Sequence, residues 1–132
     1  MTEDLSRRHF VRSSATAAVA GAPAALRALG ANGKINVGLI GAGSRGYYLM
    51  GNLYAGNAET IQVTAVCDTF TGRLARAKDN VQTVGKNTPK AYADYRELLQ
   101  DPSVDAVIIA TPEHLHQAMT LAAIKAKKHI YV

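Results

Sequence analysis

Three groups of residues in this 132-residue chain have types and spacings that could do chemistry. The first is Gly41-Ala42-Gly43-Ser44-Arg45-Gly46, a G-x-G-x-x-G that follows an apolar, β-branched run and opens a helical pattern. In that setting Gly41 permits a tight turn, and Gly43 lets the backbone approach a pyrophosphate with no Cβ in the way. Gly46 allows close helix–strand packing, and the helix N-terminus offers free N–H groups and partial positive charge to phosphates. The second is Asp68, 22 residues after Gly46 and at the end of a second apolar run, where a carboxylate can accept hydrogen bonds from ribose hydroxyls. That carboxylate repels a 2′-phosphate and favours NAD over NADP. Arg73, five residues on, could accommodate the phosphate instead and leaves NADP open. The third is Thr111-Pro112-Glu113-His114-Leu115-His116.

Alternating strands and helices must position these groups. Strands are expected over Ile35–Ile40, Ile61–Cys67, near Ala91–Tyr92, over Val104–Ala110 and from His129 onward. Helices are expected over Arg45–Leu53, with Tyr47, Tyr48, Leu49 and Leu53 as the apolar side, and from Thr71 to about Val84, with Leu74, Ala77 and Val81 on one face. A third begins near Asp94, where Asp94 and Glu97 have the spacing of a capping box. A fourth runs from Glu113 to Lys127 and buries Leu115, Met119, Ala122 and Ala123. Near-continuous apolar strands alternating with helices imply an α/β fold of the Rossmann type, a doubly wound parallel sheet covered on both faces. In such a sheet the loops after the first and fourth strands face one another across the ligand crevice. Thr111 and Pro112 then lie beside the nicotinamide half, with His116 one helical turn further along. His114 and His116 are two apart and do not share a helix face, and no further acid or histidine cluster completes a coordination set, so no metal is expected.

Composition narrows the class. At 48% hydrophobic and 19% charged the chain is neither disordered nor a polytopic membrane protein. Its longest run free of charged residues, Ser13 to Leu26, has 14 residues and is too short to span a bilayer. The single cysteine, Cys67, excludes an intrachain disulfide framework and a multi-cysteine zinc site. Residues 1–31 carry four of the 15 basic residues and two of the 10 acids, which leaves a net charge of +3 over residues 32–132. The one basic cluster there, Lys125, Lys127 and Lys128, falls at a helix end, where cations complement the dipole, so nucleic acid is not the expected partner.

The first 31 residues read as an address. Ser6-Arg7-Arg8-His9-Phe10-Val11-Arg12 precedes a weakly apolar, alanine-rich stretch broken by Pro23, the order of a bacterial secretory signal. It resembles the twin-arginine motif at every specified position, which implies export of a folded protein to the periplasm or another extracytoplasmic space, with the export machinery as a partner and no stable membrane insertion. Ala22-Pro23-Ala24 and Ala28-Leu29-Gly30 both offer small residues at the positions a cleavage site needs, and retention as an uncleaved leader is the alternative. The organisation expected is a leader over 1–31 and a dinucleotide-binding domain over 32–132.

Five segments in register carry a wider resemblance: N-V-G-L-I-G-A-G-S-R-G, A-V-C-D with Arg73 beyond, Y-A-D-Y-R-E-L-L, D-A-V-I-I-A-T-P-E-H-L-H and K-K-H-I-Y-V. Together they resemble the N-terminal half of the Gfo/Idh/MocA oxidoreductases, the family of glucose–fructose oxidoreductase and inositol dehydrogenase. The resemblance implies a two-domain, homo-oligomeric enzyme that moves hydride between a nicotinamide cofactor and a hydroxyl of a sugar, cyclitol or related compound. It matches Gly41, Gly43, Ser44, Arg45 and Gly46 to the family's phosphate turn and Asp68 to its ribose partner. It matches Thr111, Pro112 and His116 to its T-P-x-x-x-H crevice motif, with Glu113 where relatives often have Asn. Relatives continue past the equivalent of Val132 with a Glu-Lys-Pro whose lysine assists proton transfer, followed by the substrate domain. On that basis the chain is expected to be a cofactor-binding fragment, with the sugar-like substrate met only by the full-length protein. The alternative from another class is a non-catalytic dinucleotide-binding or regulatory module.

Overall fold

The computed structural model describes residues 33–132, and the leader expected over residues 1–31 lies outside the described residues. Strand β1 (Ile35–Ile40) leads into helix α1 (Ser44–Tyr54), followed by β2 (Ile61–Cys67) and α2 (Thr71–Asn80). After α2 come a π-helical turn (Val81–Gly85), β3 (Lys90–Tyr92) and α3 (Tyr95–Gln100). The chain then forms β4 (Ala106–Ile109), α4 (Glu113–Lys125) and β5 (His129–Tyr131). The five strands pair in parallel in the order β3-β2-β1-β4-β5. Strand order therefore reverses between β1 and β4, and this is the Rossmann-type doubly wound sheet that the alternation implies.

Each face of the sheet has its own core. On one side Met50 and Tyr54 of α1, with Ala77 and Val81 after them, pack on Val37, Leu39, Val63, Val66 and Ile108. On the other, Leu98 and Leu99 of α3 and Met119 and Ala123 of α4 pack on Ile40, Ala65, Cys67, Val107 and Ile109. Burial on both faces explains why β1, β2 and β4 are apolar almost throughout instead of alternating. At the entry to β4, Asp105 donates its N–H to the Asn36 carbonyl and accepts the Asn36 N–H on its carboxylate, each at 2.8 Å, which fixes β4 against β1.

Local details depart from the sequence reading. The buried face of α1 is Gly46, Met50 and Tyr54, with Leu49 and Leu53 beside it, whereas Tyr47 and Tyr48 face solvent. The i, i+4, i+8 spacing from Gly46 sets that stripe, and the hydrophobicity of the two tyrosines does not. Regular α-geometry ends at Asn80, and the widened turn that follows brings Gly85 against the Tyr54 hydroxyl, a tertiary contact that leaves no mark in the local pattern. Asp94 does cap α3, but it accepts the Arg96 N–H at 2.8 Å, one position earlier than a capping box requires. Helix α4 stops at Lys125 because Lys127 turns left-handed (φ 57°), with the Lys128 N–H returning to the Ala123 carbonyl and that of Lys127 to Ile124. This is a Schellman closure with lysine where glycine is usual.

Strand β2 carries a bulge opposite Val37/Gly38, where Val63 pairs with Val37 but Ala65 with Gly38. Strand β3 begins only opposite Ala65, so it does not reach Val63. Two side chains finish that edge: the Tyr54 hydroxyl accepts the Val63 N–H at 3.2 Å, and the Asn87 amide donates to the Val63 carbonyl at 2.8 Å.

Candidate functional site

A cleft of about 440 Å³ opens at the carboxyl ends of β1, β2 and β4, where the strand order reverses. Its walls include Gly41, Gly43, Ser44, Arg45, Asp68, Arg73, Thr111 and Pro112, so the turn, the acid and the crevice loop singled out in the sequence meet in one place. Gly46 lies beneath the turn. A Cβ there would fall on the Gly41 carbonyl oxygen, so glycine is what allows α1 to start immediately against the turn.

Gly41 itself has φ +92°, and a Cβ on it would sit 2.8 Å from the Ala110 carbonyl oxygen. Glycine here serves both the left-handed turn and the close approach of the β4 loop. Its N–H donates to the Cys67 carbonyl at 2.8 Å. Around Gly43, by contrast, an added Cβ would meet nothing within 4 Å. That residue is the N-cap of α1, and the helix has neither a side-chain cap nor an acid in its first turn. The positive end of α1 thus faces open space across a residue that adds no bulk.

Asp68 has a structural part that the sequence reading did not assign to it. One carboxylate oxygen accepts the Ala42 N–H at 2.8 Å and the other accepts the Phe70 N–H at 2.8 Å. The acid at the end of β2 therefore fastens the glycine turn at the end of β1, and the Arg76 guanidinium secures the same turn through the Ala42 carbonyl at 3.4 Å. A carboxylate has about four lone-pair sites, so two bonds leave acceptor capacity on the cleft side.

The crevice loop is braced from α4. The Thr111 hydroxyl points to the Met119 sulfur at 3.4 Å, and His116 Nε2 lies 2.7 Å from the Thr111 carbonyl oxygen. A carbonyl only accepts, so that ring nitrogen carries the proton. His116 lines a neighbouring cavity of about 260 Å³, shared with Arg45, Leu49, Thr111 and Tyr131, and not the main cleft. Cys67, Tyr95, Leu115 and Met119 also line the cleft without having been singled out as contacts. Burial, with the Asp68 charge adding to it, pushes the Cys67 thiol up to about 12, so it stays protonated and forms part of the floor.

Among the described residues no three His, Cys, Asp or Glu side chains come together to hold a metal. The lysine cluster sits far from this chemistry. Lys128 donates to the Asp101 and Val104 carbonyls at 2.7 Å each, at the opposite end of β4 and β5, and no lysine among the described residues lines the cleft.

Residues 35–132 match GFO_IDH_MocA, described as an oxidoreductase family with an NAD-binding Rossmann fold. A glycosyl hydrolase family 109 protein of Stenotrophomonas maltophilia is 34% identical over 128 residues, covering 92% of this chain and 28% of the relative. Among solved structures, an NAD-binding oxidoreductase from Klebsiella pneumoniae aligns with TM-score 0.58 and 35% identity over 74% of this chain and 26% of that one. The WlbA dehydrogenase from Bordetella pertussis, in complex with NADH and UDP-GlcNAcA, aligns with TM-score 0.64 and 25% identity over 74% of this chain and 28% of that one. The chain thus spans about a quarter of the length of the relatives it matches.

Proposed function

The chain belongs to the GFO_IDH_MocA oxidoreductase family, with its NAD-binding Rossmann fold, and from that premise we propose that the cleft binds a nicotinamide dinucleotide, NAD in preference to NADP. The observation that carries this reading is the 2.8 Å hydrogen bond from Ala42 to Asp68. It makes the phosphate turn and the ribose acceptor a single preformed unit. The first N–H groups of α1, at Ser44 and Arg45, receive the pyrophosphate over the open face of Gly43. Asp68 accepts from the ribose hydroxyls with its remaining lone pairs, and its charge disfavours a 2′-phosphate. Thr111 and Pro112, held by His116, border the nicotinamide half.

In the full-length enzyme the reaction is hydride transfer to or from a hydroxyl-bearing carbon of a sugar, cyclitol or related compound. The sugar nucleotide in the WlbA complex and the glycosyl hydrolase name of the curated relatives support a carbohydrate substrate. Bound nicotinamide supplies reversible hydride acceptance, which serves a net dehydrogenation or, where the hydride is returned, a redox-neutral cleavage of the kind a hydrolase name requires. This chain's residues bind and orient the cofactor, while substrate contact and proton transfer fall to residues outside 32–132. Residues 1–31 act as a twin-arginine leader that carries the folded domain out of the cytoplasm.

Titrating NADH into the full chain and following nicotinamide fluorescence tests the cofactor reading. The wild-type chain should bind, and Gly43→Val should weaken binding at least about tenfold by placing bulk where the pyrophosphate approaches. No binding by wild type, or unchanged binding by Gly43→Val, defeats the reading. For the leader, exchanging Arg7 and Arg8 for lysine should abolish export of a fused reporter protein. Continued export would reject the address.

A further inference from the structure

We propose that Met119 is an oxidation site, converted to its sulfoxide by hydrogen peroxide that enters through the cleft, and that the added oxygen lowers dinucleotide affinity. The second half rests on the dinucleotide reading of the cleft. Two methionines fall within the described residues, and they differ in access. Met50 is fully buried between α1 and the sheet, whereas Met119 is 9% exposed and lines the cleft beside Thr111 and Leu115. Cys67 lines the same cleft, but its thiol stays protonated, and the thiolate is the form an oxidant attacks. A thioether has no proton to lose and keeps its nucleophilic lone pairs at any pH.

The step is a two-electron oxidation. A sulfur lone pair attacks one peroxide oxygen, the S–O bond forms as the O–O bond breaks, and the departing oxygen leaves as water. The thioether becomes a polar, chiral sulfoxide.

The surroundings determine where that oxygen can rest. The core to which Met119 belongs is built from Ile40, Leu98, Leu99, Val107 and Ile109, whose side chains cannot bond it. The Thr111 hydroxyl already donates to the sulfur at 3.4 Å, and a sulfoxide oxygen is a far better acceptor than a thioether. The oxygen therefore belongs on the Thr111 side. Thr111 has little freedom to yield, since His116 holds its carbonyl at 2.7 Å. A Cβ on Gly41 would lie only 3.0 Å from the Thr111 methyl, so the crevice loop already packs on the glycine turn. Added bulk at Met119 is thus passed to the turn or intrudes beside the nicotinamide half.

Peroxide treatment of the full chain, followed by peptide mass spectrometry and NADH fluorescence, tests both halves. In the folded protein Met119 should gain one oxygen roughly tenfold faster than Met50, and in urea the two should react alike. NADH affinity should fall about three- to tenfold as Met119 oxidises, and the two methionine sulfoxide reductases should restore it where dithiothreitol alone does not. In Met119→Leu, peroxide should leave NADH affinity at that variant's own untreated value. Oxidation of Met119 no faster than of Met50 overturns the site. Unchanged affinity after full oxidation, a loss that persists in Met119→Leu, or recovery with dithiothreitol alone overturns the link to binding. No NADH binding before treatment overturns the cofactor reading and that link together, while the oxidation rates still decide the site.

Discussion

Two aspartates close two ends of the same sheet in opposite ways. Asp101, where the chain leaves α3 toward β4, is 5% exposed. One of its oxygens accepts from Lys90 and Tyr92 at 2.9 Å each, and the other from the Ser103 N–H at 2.9 Å and hydroxyl at 2.6 Å. Lys128 binds its carbonyl as well. Asp68, at the cleft end, is only partly buried and accepts two backbone N–H groups. A carboxylate with every lone pair used is a fastener. One with lone pairs to spare at an open cavity can hold a turn and still receive a ligand.

The largest effect should come from breaking the saturated site. Asp101→Ala leaves a lysine, a tyrosine and a serine without their shared acceptor and should cost about 3 kcal/mol in urea denaturation. Burial alone would raise the Asp101 carboxyl, but the bonds from Ser103, Lys90 and Tyr92 outweigh it and hold the group well below the usual carboxylate range. Its stabilisation is therefore complete above the unfolded-state value, about 4, and is lost as pH falls further toward the folded value. Urea midpoints should drop on acidification below about pH 4, and Asp101→Asn should flatten that slope. An equal slope in the variant would mean that other carboxylates dominate acid unfolding.

Asp68→Asn should show the reverse balance. An amide oxygen can still accept one N–H, so stability should fall by only about 1 kcal/mol, while NADH affinity should fall at least about tenfold. If stability falls as far as in Asp101→Ala with no excess loss of binding, Asp68 is a second fastener and the contrast collapses. The smallest effect lies outside both sites. Lys127→Gly relieves a left-handed residue at the end of α4 and should stabilise the fold by about 0.5–1 kcal/mol without changing NADH affinity.

The same contrast explains what the sequence could reveal. The cleft was legible because its chemistry is local: a turn needs its glycines at fixed offsets, and the acid must end the next strand. Strands β1 and β2 were legible to the residue because burial on both faces leaves a nearly continuous apolar run. Asp101 was not, since its partners come from β3, the following turn and the residue before β5, and none of those spacings is a motif. The buried stripe of α1 misled because tyrosine is apolar enough for either side of a helix. His116 was placed one helical turn beyond the crevice loop, where it lies, but its bond to the Thr111 carbonyl turns the ring toward the backbone and into the adjoining cavity.

Where β3 falls short of Val63, the Tyr54 hydroxyl and the Asn87 amide already occupy the N–H and carbonyl that an incoming strand would use. An unfilled edge of this kind is where sheets recruit foreign chains and grow into aggregates. Here a second polypeptide sliding alongside β2 must displace two side chains before it gains its first hydrogen bond. The stretch of sheet least covered by its own strand is thereby kept from becoming a template for another.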